Sequence, residues 1–242
     1  MIYPKINSLW KRNGWYLDEK TKKDPNQKQE GRQDFIEGDY AQPEFAIIEK
    51  WQLQEKIDGT NIRVSFTSKP SKNHPILMYD VESNIHGRNH DSIVPKELIP
   101  VLKGIFTHDR ILSALGKYFD AASCNVWFFG EGYGPKIQKV GGNYRSDPGF
   151  ILFDVYANGV WLSRENVQFV ADALGITTPP IIGEMTEDEV VAYIKSRPLS
   201  LCSEKEQVME GVICRTNPML LTGNHEPLMM KLKCRDFSKQ QQ

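Results

Sequence analysis

The chain alternates short apolar runs, bounded by glycine or polar clusters, with a few amphipathic stretches of helical spacing. Residues 61–67 set Ile62, Val64 and Phe66 against Asn61, Arg63 and Ser65, the period-two pattern of a half-buried strand. Residues 126–130 and 150–156 are apolar and aromatic with glycine at their borders, which predicts buried strands. Residues 45–55, 76–82, 211–215 and 228–234 also read as strands. Pro95 suits the first turn of a helix over 96–106, and a second helix is expected over 110–120. Ser163 is a good N-cap for a helix over 164–174, with Gly175 just past its end. Thr186, followed three residues later by Glu189, is a capping-box signature for a helix reaching Lys195. Strand runs separated by paired helices predict an α+β architecture, with antiparallel sheets packed face to face and a site between them.

The first 44 residues read as a lead-in to a core domain over 45–242. The middle of that lead-in, 18–33, is almost wholly polar and reads as a solvated loop, with local basic character only at Lys20, Lys22 and Lys23. At 242 residues the chain can bury a sizeable core. A net charge of −1 excludes a strongly basic nucleic-acid coat protein, but leaves room for a local basic groove. The N-terminus lacks the apolar stretch of a signal peptide, and no run approaches the ~20 apolar residues of a membrane span. Cys124, Cys202, Cys214 and Cys234 form no Cys-x-x-Cys pair, so a disulfide framework or zinc site is not expected and a reducing cytoplasm is. A phage or virus protein acting in the host cytoplasm fits the same reading. His86 and His90 are four apart, but the intervening Gly87 argues against a helical metal pair.

Candidate chemistry centres on Glu55-Lys56-Ile57-Asp58-Gly59-Thr60-Asn61, which puts a lysine just before an Asp-Gly turn between two strand-like runs. A lysine amine becomes a nucleophile when desolvation or neighbouring cations lower its pKa, and Gly59 permits the tight turn that projects it into a cleft. Four later segments complete a possible site: His86-Gly87-Arg88-Asn89, the stretch from Phe128 to Gly134 around Glu131, the stretch from Phe150 to Val155 around Phe153, and the pair Glu210-Gly211 with Lys231-Leu232-Lys233. In this order and at these separations they resemble the motifs of the covalent nucleotidyltransferases, that is, polynucleotide ligases and messenger-RNA capping enzymes. Within that superfamily the chain looks most like the ATP-dependent RNA ligases of the second bacteriophage type. Gly59-Thr60-Asn61 and Lys231-Leu232-Lys233-Cys234 carry that narrower likeness, and the match runs from about Glu55 to Phe237.

The resemblance implies an ATP-grasp-like nucleotidyltransferase domain with a nucleotide site between its sheets. Lys56 would attack the α-phosphorus of ATP and carry AMP. Glu55, Thr60, Asn61, Arg88, Glu131, Phe153, Glu210, Lys231 and Lys233 would bind the nucleotide. Among these, Glu131 would accept from ribose hydroxyls and Phe153 would stack on adenine. Glu210 would hold Mg²⁺ or Mn²⁺ through water. Lys231 and Lys233 alternate with Leu232, so they share one strand face and would depress the Lys56 pKa by like-charge repulsion. Taken alone, those two lysines would read first as guards of an edge strand, and their place after Glu210-Gly211 favours the functional reading. Lys136, Lys139 and Arg145, with Tyr133 and Tyr144 interleaved, form an RNA-contacting patch or a solvated loop. RNA with 5′-phosphate and 3′-hydroxyl ends is the implied partner, with a separate RNA-binding partner or domain as an addition. The chain ends nine residues after Lys233, so no C-terminal OB domain is expected. A DNA ligase or capping-type guanylyltransferase is the alternative within this chemistry, and a non-catalytic nucleotide- or RNA-binding module is the alternative of another class.

Overall fold

The computed structural model describes residues 1–12, 35–71, 79–116 and 123–237. Its elements in chain order are β1 (Asn7–Ser8), β2 (Trp10–Arg12), β3 (Phe35–Tyr40), β4 (Trp51–Lys56), β5 (Thr60–Pro70), β6 (Tyr79–His86), α1 (Leu98–Ile105), α2 (His108–Leu115) and β7 (Cys124–Tyr133). They continue with α3 (Gly141–Tyr144), β8 (Gly149–Ala157), β9 (Val160–Trp161), α4 (Arg164–Leu174), β10 (Ile181–Met185), α5 (Glu187–Lys195), β11 (Gly211–Arg215) and β12 (Met229–Lys233).

The fold is α+β. Two five-stranded sheets carry it, one in the order β1-β12-β11-β4-β10 and the other in the order β6-β5-β7-β8-β9, beside a small β2-β3 ribbon. Among the described strands the pairings are antiparallel except β1 with β12, where a stretch of the expected lead-in joins the first sheet in parallel. Each sheet covers its outer face with helices. Ile62, Val64, Phe66, Phe128, Leu152 and Val155 pack on Leu98, Leu102, Val167 and Leu174 of α1 and α4. Trp51, Leu53, Val212 and Leu232 pack on Val190 and Ile194 of α5. The two inner faces are left to line a cleft.

The helix signals hold closely where capping chemistry is explicit. Ser163 caps α4 by accepting from the Asn166 amide, and Gly175 ends it at a φ of 66°. Thr186 and Glu189 form the reciprocal capping box of α5. The helix expected over 96–106 is shorter, because residues 96 and 97 form a turn ahead of Leu98. The second begins earlier, where the Thr107 side chain caps α2, and it ends at Leu115. The expected strand over 45–55 starts only at Trp51; Pro43 opens a 3-10 turn that buries Phe45. Strand β5 is buried on both faces, with Arg63 at 1% exposure, because its polar face turns into the cleft side and not to solvent. Strand β10 carries no sequence signal: Gly183 interrupts it at a register shift against β4. The polar stretch 18–33 and residues 76–78 lie outside the described residues.

Candidate functional site

The register of three strands builds the first half of the site. Lys56 on β4 pairs with Gly211 on β11, which pairs with Lys233 on β12. That row ends at Glu210, whose carboxylate accepts from Lys56 Nζ at 2.6 Å and from Lys233 Nζ at 2.6 Å. The next inward row on the same face is Gln54, Ile213 and Lys231. Strand β12 lies between β1 and β11, so its lysines do not guard a sheet edge. Glu55 has the opposite parity. It sits in the row of Val212 and Leu232, fully buried, with its carboxylate accepting from the Ser200 hydroxyl at 2.5 Å and the Leu201 amide at 2.7 Å. Its side chain therefore anchors the 199–208 segment, while the residue also borders the cleft. Strand alternation gives the side chains of Glu55 and Lys56 these opposite facings.

The facing sheet supplies the other half. Thr60 and Asn61 open β5 opposite Gly132 and Glu131 of β7. The turn that delivers Lys56 is pinned from the α3 region: the Asp58 amide donates to the Tyr144 hydroxyl at 3.3 Å, and the Gln138 amide donates to the Gly59 carbonyl at 2.8 Å. Between β7 and β8 the register jumps, with Phe129 opposite Asp154 and Gly130 opposite Leu152. Phe153 is the extra residue of this bulge. Phe153 and Asp154 consequently both turn toward the first sheet. Phe153 lines the cleft, and Asp154 takes a bidentate pair from Arg215 of β11 at 2.7 and 2.8 Å. The Arg164 guanidinium, pushed down to about 10 by burial and by Arg215, braces the Phe153 carbonyl.

The cleft between the sheets has a volume of about 640 Å³. Lys56, Thr60, Asn61, Arg88, Glu131, Phe153, Glu210, Lys231 and Lys233 all line it. Sequence reasoning missed Tyr3, Lys5, Gln54, Gln138, Asp154 and Arg215. Of these, Asp154 stands in the segment read around Phe153, and the other five stand in none of the segments singled out above. The expected surface patch divides instead. Lys136 and Lys139 are exposed, but Tyr133 and Tyr144 are buried with Ile57 and Ile151, and Arg145 pairs with Asp147.

The electrostatics follow from this packing. Burial works against the Glu210 carboxylate, but Lys56 and Lys233 outweigh it and hold it below the usual range. Burial pushes the Lys231 ammonium down to about 8, assisted by Lys233, Lys56, Arg88 and Lys5. Lys231 lacks the carboxylate that Lys56 and Lys233 share. Burial also pushes the Glu131 carboxyl up to about 8, so at neutral pH it is mostly a protonated group able to donate as well as accept. Asp58 is raised by burial and then by Glu210.

Unpartnered acceptors in the cleft, Gln54 Oε1 and Asn61 Oδ1, fit the amino and hydroxyl donors of a nucleoside. The lysines and Arg88 fit phosphates. Asp58 and Glu210 fit a divalent cation held beside a phosphate, which takes one or two carboxylates and keeps water ligands. Both Glu210 oxygens already accept from lysines, so water-mediated contact suits it best. Among the described residues no preassembled cluster of three metal ligands occurs.

The family model for RNA ligase matches residues 49–233. No curated protein matches the sequence. Among solved structures, the Naegleria gruberi RNA ligase with PPi is 15% identical, with a TM-score of 0.50 over 80% of this chain and 52% of that one. A lysine-to-alanine variant of that ligase with ATP and Mn gives 15% identity and a TM-score of 0.50, over 79% of this chain and 51% of that one. An archaeal ATP-dependent RNA ligase gives 15% identity and a TM-score of 0.47, over 78% and 44%. At such identities the first two likenesses show the fold alone. The chain spans about half the length of the solved proteins it matches.

Proposed function

The chain belongs to the RNA ligase family, and from that premise we propose that it is an ATP-dependent ligase joining 3′-hydroxyl and 5′-phosphate RNA ends. The observation that carries this reading is the Lys56–Glu210–Lys233 row at the floor of a nucleotide-sized cleft. In the first step Lys56 Nζ attacks the α-phosphorus of ATP. The N–P bond forms as the bond to pyrophosphate breaks, and the amine releases its proton. Lys231, Lys233 and Arg88 oppose the charge that develops on the phosphoryl oxygens. Asn61, Glu131 and Gln54 hold the nucleoside, and Phe153 offers its ring to adenine. In the second step the oxygen of an RNA 5′-phosphate takes AMP from Lys56. In the third, a 3′-hydroxyl attacks that activated phosphate, and AMP leaves. Mg²⁺ or Mn²⁺, held through water by Glu210 beside the phosphates, would add charge stabilisation at each displacement.

Each step is an in-line displacement for which position and charge supply the rate. The third step needs bound AMP and aligned ends, whereas the second must dock a free 5′ end, and the chain's net charge of −1 offers no broad basic surface for that. The protein is therefore expected to join a pre-adenylylated RNA to a 3′-hydroxyl without ATP, faster than it joins 5′-phosphate RNA with ATP. RNA should be preferred on the 3′-hydroxyl side, where a 2′-hydroxyl can be sensed. A gel assay of radiolabelled strands checks this. Equal or faster sealing of nicked DNA would favour a DNA ligase, and no sealing of the activated strand would favour a binding module.

A further inference from the structure

The N-terminal residues lie outside the stretch that the family model matches, yet they form a wall of the cleft. Ile2, Tyr3, Pro4, Lys5 and Ile6 all line it. Their path is fixed to both sheets. On the β5–β9 side, the Met1 carbonyl accepts from the Arg63 guanidinium, which also donates to the Gly87 carbonyl at 2.7 Å, next to Arg88. The Tyr3 hydroxyl donates to Asp154, and its ring lies 4.9 Å from Phe153 and 5.0 Å from Phe129. On the other side, Asn7 and Ser8 pair in register with Met230 and Lys231. Pro4, between these anchors, is buried and has a restricted φ. Residues 4–6 are therefore a short strap crossing from one sheet to the other, with little freedom to move.

Lys5 sits in that crossing, exposed, in the same cleft as Lys56, Arg88, Lys231 and Lys233, and close enough to act on the Lys231 ammonium. Among the described residues no carboxylate pairs with it. Glu210 is shared by Lys56 and Lys233, and Asp154 is held by Arg215; Asp58 and Glu131 also line the cleft, and neither forms an ion pair with Lys5. A cation held in place without a counter-ion, within a concave cluster of cations, is the arrangement that recruits a polyanion. We infer that Lys5, presented by the N-terminal strap, binds a phosphate group of the nucleotide triphosphate or of the RNA 5′ end. The identity of that phosphate rests on the ligase reading; the subsite itself does not.

The test is calorimetric titration of the intact protein with inorganic tripolyphosphate. Lys5→Ala should bind about fivefold more weakly, the modest loss expected when one solvent-exposed charge is removed. Lys5→Arg should bind like the wild type. Lys11→Ala removes the same charge from the N-terminal region outside the cleft, where Lys11 pairs with Asp39, and should leave binding unchanged. No binding by the wild type, or equal binding by Lys5→Ala, overturns the inference. An equal loss in Lys11→Ala does so as well, since the effect would then be one of net charge. Kinetics identify the source. A raised KM for ATP in Lys5→Ala assigns the nucleotide, and an unchanged KM with slower transfer of AMP to 5′-phosphate RNA assigns the RNA end. A protein that binds tripolyphosphate through Lys5 but takes no label from ATP would end the ligase reading and leave the subsite standing.

Discussion

Single residues in this site are set by parity. Glu55 and Lys56 are neighbours in sequence, yet one serves the core and the other the cleft, because alternate residues of β4 face opposite ways. Lys56, Glu210, Lys231 and Lys233 could be singled out in the sequence because they stand in short segments whose order and separations resemble a family's motifs. Asp154 and Arg215 could not, because their pairing depends on a bulge and on the facing of two sheets. Glu131 gives the residue scale its pH signature. Its folded pKa is about 8, against an ordinary 4.5, so folding takes up a proton between those values. Stability therefore falls as pH rises through that window. Glu131→Gln cannot ionise and escapes the loss. Its melting temperature should gain on the wild type by a few degrees from pH 5 to pH 9, most of it below about pH 8. A difference between the two proteins that stays constant over pH would show that Glu131 is ionised in the folded cleft.

Elements fix the distances between those residues. The turn from Ile57 to Gly59 must pass close to β7. A Cβ on Gly59 would meet the Gly132 carbonyl oxygen at 2.3 Å and Glu131 Cγ at 2.7 Å. Gly59 is thus required for close approach of two backbones. Gly59→Ala should push the turn away from β7, costing about 1–3 kcal/mol of stability, the range for an overpacked site. Because the turn carries Lys56, label uptake from ATP should fall at least tenfold. Thermal unfolding together with a labelling time course checks both, and full-rate labelling would mean that the turn adjusts freely. Helices α4 and α5 were legible because their caps are written in local side chains, Ser163, Thr186 and Glu189. Strand β10 and the bulge at Phe153 were not, since Gly183 hides the first and register against a distant strand creates the second.

For the whole molecule, the architecture is two sheets with their helices turned outward and their polar faces turned toward each other. The α+β class and the face-to-face sheets could be read from the alternation of strand and helix signals. The crossing of residues 4–6 between the sheets could not, because nothing local in Tyr3-Pro4-Lys5-Ile6 says which strands its ends will join. A chain of net charge −1 gathers Lys5, Lys56, Arg88, Lys231 and Lys233 around one cleft, a local field that its composition conceals. The central claim is that this cleft makes Lys56 the acceptor of AMP, and its most direct measurement is a mass map of the protein after incubation with ATP and Mg²⁺. One adenylyl group on the peptide containing Lys56, abolished in Lys56→Ala and not formed with GTP, is the predicted result. An unmodified protein, an adduct on another residue, or guanylylation in its place would contradict it.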